Sequence, residues 1–162
     1  VLLPIDAVWG GAAGILSCAL IPMLGYRYRL TVYDRISGIL VSMLSLTALL
    51  SVDKALIICL SYLLFGMLWL LSCAVKIPLS AHYSSGDYGG DGALSNPLFI
   101  KTNRILTMAW GVLYLLIAAF SYFLMSSPLS AYTGLINSAA PALMGAFTIW
   151  FAKWYPAKVA KG

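Results

Sequence analysis

The chain contains 162 residues, of which 62% are hydrophobic and 9% are charged, and its mean hydropathy is +0.93. These values lie outside the range of water-soluble globular domains, and they leave no room for a separate soluble domain. Ten Lys and Arg residues outnumber five Asp residues, with no Glu. In a membrane protein such an excess normally faces anionic lipid on the cytoplasmic side, so membrane lipid is an expected partner and nucleic acid is not.

Five apolar stretches are long enough to cross a bilayer, since one crossing takes roughly 20 residues of α-helix. Their predicted bounds are about 2–24, 36–52, 55–75, 105–125 and 135–154. Short connections join most of them, and only the segment 76–104 is polar over a long stretch. The sequence therefore predicts an all-α fold in which residues 1–162 form a single transmembrane helical bundle.

The first span carries small residues on one face, at Gly10, Gly14 and Cys18. A spacing of four residues lets two helix backbones approach closely. We expect this face to pack inside the bundle. The alternative is packing against a second copy of the chain or against another integral membrane protein.

The first span ends at a basic and aromatic run, Tyr26–Arg29. Arginine and aromatic side chains favour the membrane interface, so Arg27 and Arg29 are candidates for contact with lipid head groups or a partner protein. Farther along, the pair Asp53 and Lys54 leaves room only for a tight turn between the second and third spans. We interpret it as a solvated ion pair rather than a transport site.

The polar segment 76–104 is expected to be a flexible cytoplasmic loop, because it is rich in Gly, Ser and Asp. It holds the single histidine of the chain, His82, so a bis-histidine haem or a three-histidine zinc site is impossible within this chain. His82 and Asp87 belong to residue types used in acyl transfer, yet no spaced motif organises them. We therefore predict no enzymatic activity, no cofactor and no metal site.

The most distinctive run of residues, 99–111, leads into the fourth span. Lys101 and Arg104 are expected to reach lipid phosphates, while Asn103 and Trp110 enter the span. Asn103 has two possible roles at this depth. It either bonds the ends of neighbouring spans or binds a lipid head group or partner loop.

The outer part of the fifth span holds Asn137 and Ser138, one helical turn before Pro141. Proline frees a backbone carbonyl, which can expose polar groups to a ligand, so a small intramembrane site is one interpretation. The favoured alternative places Pro141 in the first turns of a helix, where it is tolerated, and lets Asn137 bond a neighbouring helix.

Lys and Arg residues concentrate in three regions: after the first span, in the segment 76–104 and in the C-terminal tail. With five spans, all three regions fall on one side, which the positive-inside rule assigns to the cytoplasm. The predicted topology has the N-terminus outside and the C-terminus inside. The predicted location is the cytoplasmic (inner) membrane of a bacterium.

The layout resembles the bacterial intracellular septation protein A family of small, five-span inner-membrane proteins. The resemblance is carried by Lys76-Ile-Pro-Leu, by the polar stretch that follows, and by Lys101, Asn103 and Ala109-Trp110. The Gly- and Asp-rich loop departs from the interfacial amphipathic segment more usual in that family. The resemblance implies a non-enzymatic cell-envelope protein that acts through other membrane proteins, and it carries over no catalytic residues.

Two kinds of function follow from these residues. The first is a non-enzymatic membrane protein that acts through protein–protein or protein–lipid interactions in the cell envelope, as a subunit of a larger membrane complex. The second is a carrier for a small solute or a lipid, with a site between spans near Asn103, Asn137 and Pro141. A small membrane enzyme using His82 and Asp87 ranks below both.

Overall fold

The computed structural model describes residues 7–25, 30–50 and 53–161. Within these ranges the backbone forms seven α-helices, two short 3₁₀ helices and no β-strand. The α-helices are α1 (Ala7–Gly25), α2 (Val32–Leu49), α3 (Lys54–Ser72), α4 (Leu79–Ser84), α5 (Asp91–Leu94), α6 (Pro97–Met125) and α7 (Thr133–Val159). The 3₁₀ helices cover Ser85–Tyr88 and Ser130–Tyr132.

Four of the described stretches are long and apolar enough to cross a membrane. They are Val32–Leu49, Ala55–Ser72, Pro97–Met125 and Ser130–Val159. In α1 the apolar stretch Trp9–Leu20 is shorter, and residues 2–6 of the first predicted span lie outside the described residues. Only 6% to 22% of each spanning window is buried inside the protein, as expected for helices that are apolar on all sides and face lipid. The predicted all-α membrane fold is therefore confirmed.

Contacts divide the chain into two compact units. Unit 1 contains Val1–Leu64 and Ala118–Gly134, and unit 2 contains Phe65–Ile117 and Leu135–Gly162. The single transmembrane domain predicted for residues 1–162 stays a prediction.

In unit 1, α1 packs against α2 through small residues. A Cβ added at Gly11 would lie 2.9 Å from the main-chain oxygen of Ser45, and one added at Gly14 would overlap the Ser45 side chain. The Cys18 thiol lies 3.4 Å from a main-chain oxygen of α2. Gly11 belongs to this face as well, since a helix contact stripe alternates steps of three and four residues. The contact supports packing within the chain.

A capping box sets the start of α2. Thr31 Oγ1 accepts a hydrogen bond from Asp34 N at 3.2 Å, and Asp34 Oδ2 accepts one from Thr31 N at 2.7 Å. These bonds satisfy main-chain N–H groups that the first turn of a helix leaves unpaired. The helix therefore begins at Val32, ahead of the predicted span, because the apolar pattern marks the hydrocarbon crossing and not the helix end.

In unit 2, α3 and α6 cross closely at two glycines. A Cβ added at Gly66 would lie 3.1 Å from the main-chain oxygen of Gly111, and one added at Gly111 would lie 3.1 Å from Leu70 N. Main-chain atoms cannot move aside as the end of a flexible side chain can, so neither position has room for a larger residue. The close approach of α3 and α6 places Trp69 of α3 near Trp110 of α6, with 5.7 Å between their ring centroids.

The polar segment contains short helices where a flexible loop is expected. α4, the 3₁₀ helix Ser85–Tyr88 and α5 follow one another, and the last two are joined by Gly89 and Gly90, whose φ angles are 96° and 63°. Glycine is required there because other residues rarely adopt positive φ. A composition rich in Gly, Ser and Asp correctly predicts the turns of this segment, but it does not predict the one-turn helices between those turns.

The helix α6 begins at Pro97, whereas the predicted span begins at residue 105. Asn96 Oδ1 accepts hydrogen bonds from Leu98 N at 2.9 Å and from Phe99 N at 3.3 Å, so Asn96 caps the helix. Proline suits the first helical position because the N–H that it lacks would have had no partner. The added length places Asn103 within a rigid helix instead of at a loop end.

Candidate functional site

Unit 2 contains a cavity of about 640 Å³. Its walls come from the end of α3, α4, the adjoining 3₁₀ helix, α6 and the second half of α7. The aromatic residues that line it are Trp69, Tyr83, Tyr88, Phe99, Trp110 and Tyr114. A cavity of this volume lies within the range that accommodates small-molecule ligands, whose sites are mostly apolar and hold a few placed polar groups.

Hydroxyl groups hold α4 against α6 beside the cavity. The hydroxyls of Ser80 and Thr107 lie 2.8 Å apart, and each lies 2.8 Å from the main-chain oxygen of Asn103. Ser80 N donates a further bond to Thr107 Oγ1 at 3.3 Å. Thr107 is fully buried, so these bonds form away from water, where an unpaired hydroxyl would be costly.

The amide of Asn103 forms part of the cavity wall and is almost fully buried. Its Oδ1 accepts a bond from Ser84 Oγ at 3.0 Å, and its Nδ2 donates to the main-chain oxygen of Phe99 at 3.0 Å. Asn103 therefore bonds the short helix α4, which is not one of the spans that it was predicted to bond. It also presents a polar edge to the cavity, which is what the other role requires.

A hydrogen bond between two side chains joins α6 to α7 at the cavity. Trp110 Nε1 donates to Thr148 Oγ1 at 3.0 Å, and the Thr148 hydroxyl donates to the main-chain oxygen of Met144 at 2.8 Å. The indole nitrogen is thereby satisfied, as a half-buried tryptophan requires. The bond fixes the indole ring in the cavity wall.

Three aromatic rings cluster at one part of this wall. Trp69 lies 5.7 Å from Trp110 and 6.1 Å from Tyr114, and Trp110 lies 5.6 Å from Tyr114, all measured between ring centroids. These separations fall in the range of favourable aromatic pairs, each of which contributes about 0.5–1.5 kcal/mol beyond area burial. The cluster is a rigid apolar surface that would suit a hydrocarbon chain.

The charged residues that line the cavity are Asp87, on the 3₁₀ helix, and Lys153, on α7. Both are exposed, and within the described part of the chain neither is joined to another side chain by an ion pair. Next to Asp87, the Tyr88 ring lies 5.5 Å from the Phe99 ring at the start of α6. One acid, one base and an aromatic pair thus border the same cavity.

The lining residues of α6 change in character along the helix. Phe99, Asn103, Leu106, Trp110 and Tyr114 recur at helical spacing and share one face. From Phe99 to Tyr114 the helix rises about 22 Å. The polar groups lie in the early turns, and the aromatic cluster lies in the later turns. The cavity is therefore amphipathic along α6.

The side chains at the cavity are groups that can bind a ligand. The hydroxyls of Ser80 and Ser84 bond to α6, with Ser84 Oγ on Asn103 Oδ1, and His82 does not line the cavity. Among the described residues, no group of three His, Cys, Asp or Glu side chains could hold a metal ion. What the cavity offers a ligand is apolar surface, amide and hydroxyl groups and two opposite charges.

The basic residues predicted to contact lipid have different surroundings. Arg104 Nη2 donates to the main-chain oxygens of Val75 and Lys76, at 3.0 and 3.3 Å, so its guanidinium caps the chain just after α3. Lys101 is exposed on α6 and does not line the cavity. Arg27 and Arg29 lie outside the described residues. A lipid contact by any of these residues stays a prediction.

The polar residues predicted near the start of the fifth span do not line the cavity. Asn137, Ser138 and Pro141 lie in α7, ahead of its lining residues, which begin at Thr148. Because α7 begins at Thr133, Pro141 lies about two turns into the helix. Of the carrier site predicted near Asn103, Asn137 and Pro141, the cavity includes Asn103 alone.

Several lining residues carry no signal in the sequence by themselves. Trp69, Thr148 and Lys153 come from α3 and α7, and only packing brings them to α6. The stripe on α6 could be predicted from the sequence, because Asn103, Trp110 and Tyr114 follow a helical period through an otherwise apolar span.

Comparison with known protein families, with curated proteins and with solved structures finds no match to this chain.

Proposed function

We propose that this protein is a non-enzymatic, multi-pass membrane protein that binds a lipid-like amphipathic molecule in the cavity of unit 2. The observation that carries the proposal is the cavity itself, about 640 Å³ in volume and lined by aromatic rings, with polar groups at the early turns of α6. A site of this composition takes apolar ligands and orients them by a few polar contacts.

The proposal includes the side of the membrane on which the polar end lies. The excess of Lys and Arg after the first span, in 76–104 and in the tail supports a cytoplasmic position for these regions, with the N-terminus outside. The cytoplasmic membrane of a bacterium is the proposed location. The resemblance to the septation protein A family supports a role in the cell envelope through lipid or protein contacts.

A paired substitution on α7 tests the binding site. Ala152 lines the cavity, whereas Ala146 is exposed and does not. Ala152→Phe should fill part of the cavity and displace the ligand, while Ala146→Phe adds the same ring on the same helix outside it. Phospholipid retained by the purified protein is counted by native mass spectrometry after exchange into mild detergent.

The wild-type protein and Ala146→Phe should each retain about one lipid molecule per chain, since the cavity has room for one. Ala152→Phe should retain much less. Equal retention by all three proteins, or none by the wild type, would contradict the proposal. Circular dichroism and thermal unfolding establish that Ala152→Phe is folded.

A second function, as a subunit of a membrane complex, is supported by one feature of α7. Of the four spanning windows, the one that includes α7 buries 6% of its residues, against 17% to 22% for the others. Its exposed aromatic residues include Trp150 and Trp154, which stack 5.0 Å apart. Cross-linking from position 150 in native membranes should then capture another membrane protein or a second copy of the chain. Labelling of lipid alone would contradict this function.

A further inference from the structure

We infer that the cavity of unit 2 selects a phospholipid with a zwitterionic head group, whose ammonium lies at Asp87 and whose phosphate lies at Lys153. The inference rests on the proposed function and specifies the chemical class of its ligand. It starts from the charges on the cavity wall, which are one carboxylate and one ammonium among the described residues.

Because the cavity wall carries one acidic and one basic side chain, it should not strongly prefer a purely anionic or a purely cationic head group. An anionic lipid gains attraction from Lys153 and meets repulsion from Asp87, and a cationic amphipath meets the reverse. A zwitterion satisfies both side chains at once. Because neither side chain is held in an ion pair within the described part of the chain, both are available to a ligand without breaking an existing contact.

The surroundings of Asp87 suit an ammonium group. Tyr88 follows Asp87 directly, and its ring lies 5.5 Å from that of Phe99, with both rings lining the cavity. Aromatic faces attract cations, and a carboxylate beside aromatic rings is a recurrent setting for substituted ammonium ligands. Lys153 lies on another wall of the cavity, and its compact ammonium group is a common partner for phosphate.

The rest of the cavity suits the remainder of a phospholipid. Asn103, on α6, and Ser84, on α4, place an amide and a hydroxyl group on the cavity wall, where they would face the glycerol ester region of a bound phospholipid. The cluster of Trp69, Trp110 and Tyr114 provides apolar surface along the same helix. The cavity wall thus offers charged, polar and apolar groups, which are the three kinds of group that one phospholipid molecule presents.

The expected selectivity is modest, because Asp87 and Lys153 are exposed and water screens their charges. Exposed charge pairs correspond to about two- to fivefold in binding preference for each charge. We expect the wild-type protein to prefer a phosphatidylethanolamine or phosphatidylcholine over a phosphatidylglycerol with the same acyl chains by about that factor. The measurement is the ratio of lipids retained from an equimolar mixture, read by native mass spectrometry.

Charge-removing substitutions test the assignment of each side chain. Asp87→Asn should shift the retained mixture about two- to fivefold toward the anionic lipid, because only the zwitterionic lipid carries the ammonium. Lys153→Gln should lower the total amount of retained lipid by a similar factor and leave the ratio nearly unchanged, because both lipids carry the phosphate. Asp91→Asn and Lys101→Gln are matched controls, because they remove the same charges from the same unit without lining the cavity. They should leave the ratio unchanged, and Lys101→Gln should not lower the total amount of retained lipid.

The outcomes separate this inference from the function on which it rests. Retention of lipid without head-group preference, a preference for the anionic lipid, or equal shifts in the control variants would overturn the inference and leave the lipid site intact. Retention of no lipid by the wild type, or capture of a partner polypeptide in the cavity instead, would overturn both.

Discussion

Replacing Thr107 by Val tests the bonds that hold α4 against α6 beside the cavity. Thr107 is fully buried, and its Oγ1 lies 2.8 Å from Ser80 Oγ and 3.3 Å from Ser80 N. Valine keeps the shape of threonine and removes the hydroxyl, so both bonds to Ser80 are lost, together with the bond from Thr107 Oγ1 to Asn103 O within α6, while Ser80 Oγ keeps its own bond to Asn103 O. At about 1 kcal/mol for each of the two bonds between α4 and α6, the free energy of unfolding should fall by about 2 kcal/mol, in addition to the small effect of the bond within α6.

Thermal unfolding of the protein in mild detergent measures this effect. A loss of about 2 kcal/mol corresponds to a decrease in Tm of about 4–8 °C for a chain of this size. Thr47→Val is the matched control, because among the described residues Thr47 Oγ1 bonds within its own helix, to Leu44 O at 2.8 Å, and its replacement should change Tm little. Equal Tm values for the two variants would refute a structural role for the Ser80 and Thr107 bonds.

Three further predictions concern packing, capping and topology. Gly111→Ala should destabilise the protein by about 1–3 kcal/mol, because the added Cβ would lie 2.7 Å from Leu70 Cγ. Gly145→Ala is the control: it has nothing within 4 Å of the added Cβ and should stabilise α7 by up to about 1 kcal/mol. A higher Tm for Gly111→Ala than for Gly145→Ala would contradict the close crossing of α3 and α6. Asn96→Ala should lower the free energy of unfolding by about 1 kcal/mol through loss of the α6 cap, and an unchanged Tm would count against capping. A fluorescent protein fused after residue 162 should fluoresce in cells if the C-terminus is cytoplasmic, whereas activity of an exported reporter alone at that position would contradict the proposed orientation.

The spanning helices could be predicted from the sequence because a membrane crossing needs a long apolar run, which is visible without tertiary information. The helix ends could not be predicted from the apolar runs, since they depend on local capping residues. Asn96 and Pro97 start α6 well ahead of the apolar run, and the capping box of Thr31 and Asp34 does the same for α2. These capping residues can be recognised in the sequence if helix N-termini are predicted separately from the membrane-spanning segments.

The site was only partly accessible from the sequence. Asn103 and Trp110 were candidates because a polar and an aromatic residue enter an apolar span together, and both line the cavity. Trp69 and Lys153 could not be predicted as site residues. Trp69 is near α6 because α3 and α6 cross closely at Gly66 and Gly111, and Lys153 is at the cavity because α7 packs there. Long-range packing of this kind leaves no periodic trace in a single sequence.

An experimental density map of the protein in a lipid nanodisc tests the binding site most directly. If the cavity of unit 2 binds a lipid, the map contains an elongated density that passes Asn103 and contacts Trp110, with its wider end between Asp87 and Lys153. The same map of Ala152→Phe lacks that density. A wild-type cavity that contains only solvent, or that is closed by movement of α7 against α6, would contradict lipid binding at this site.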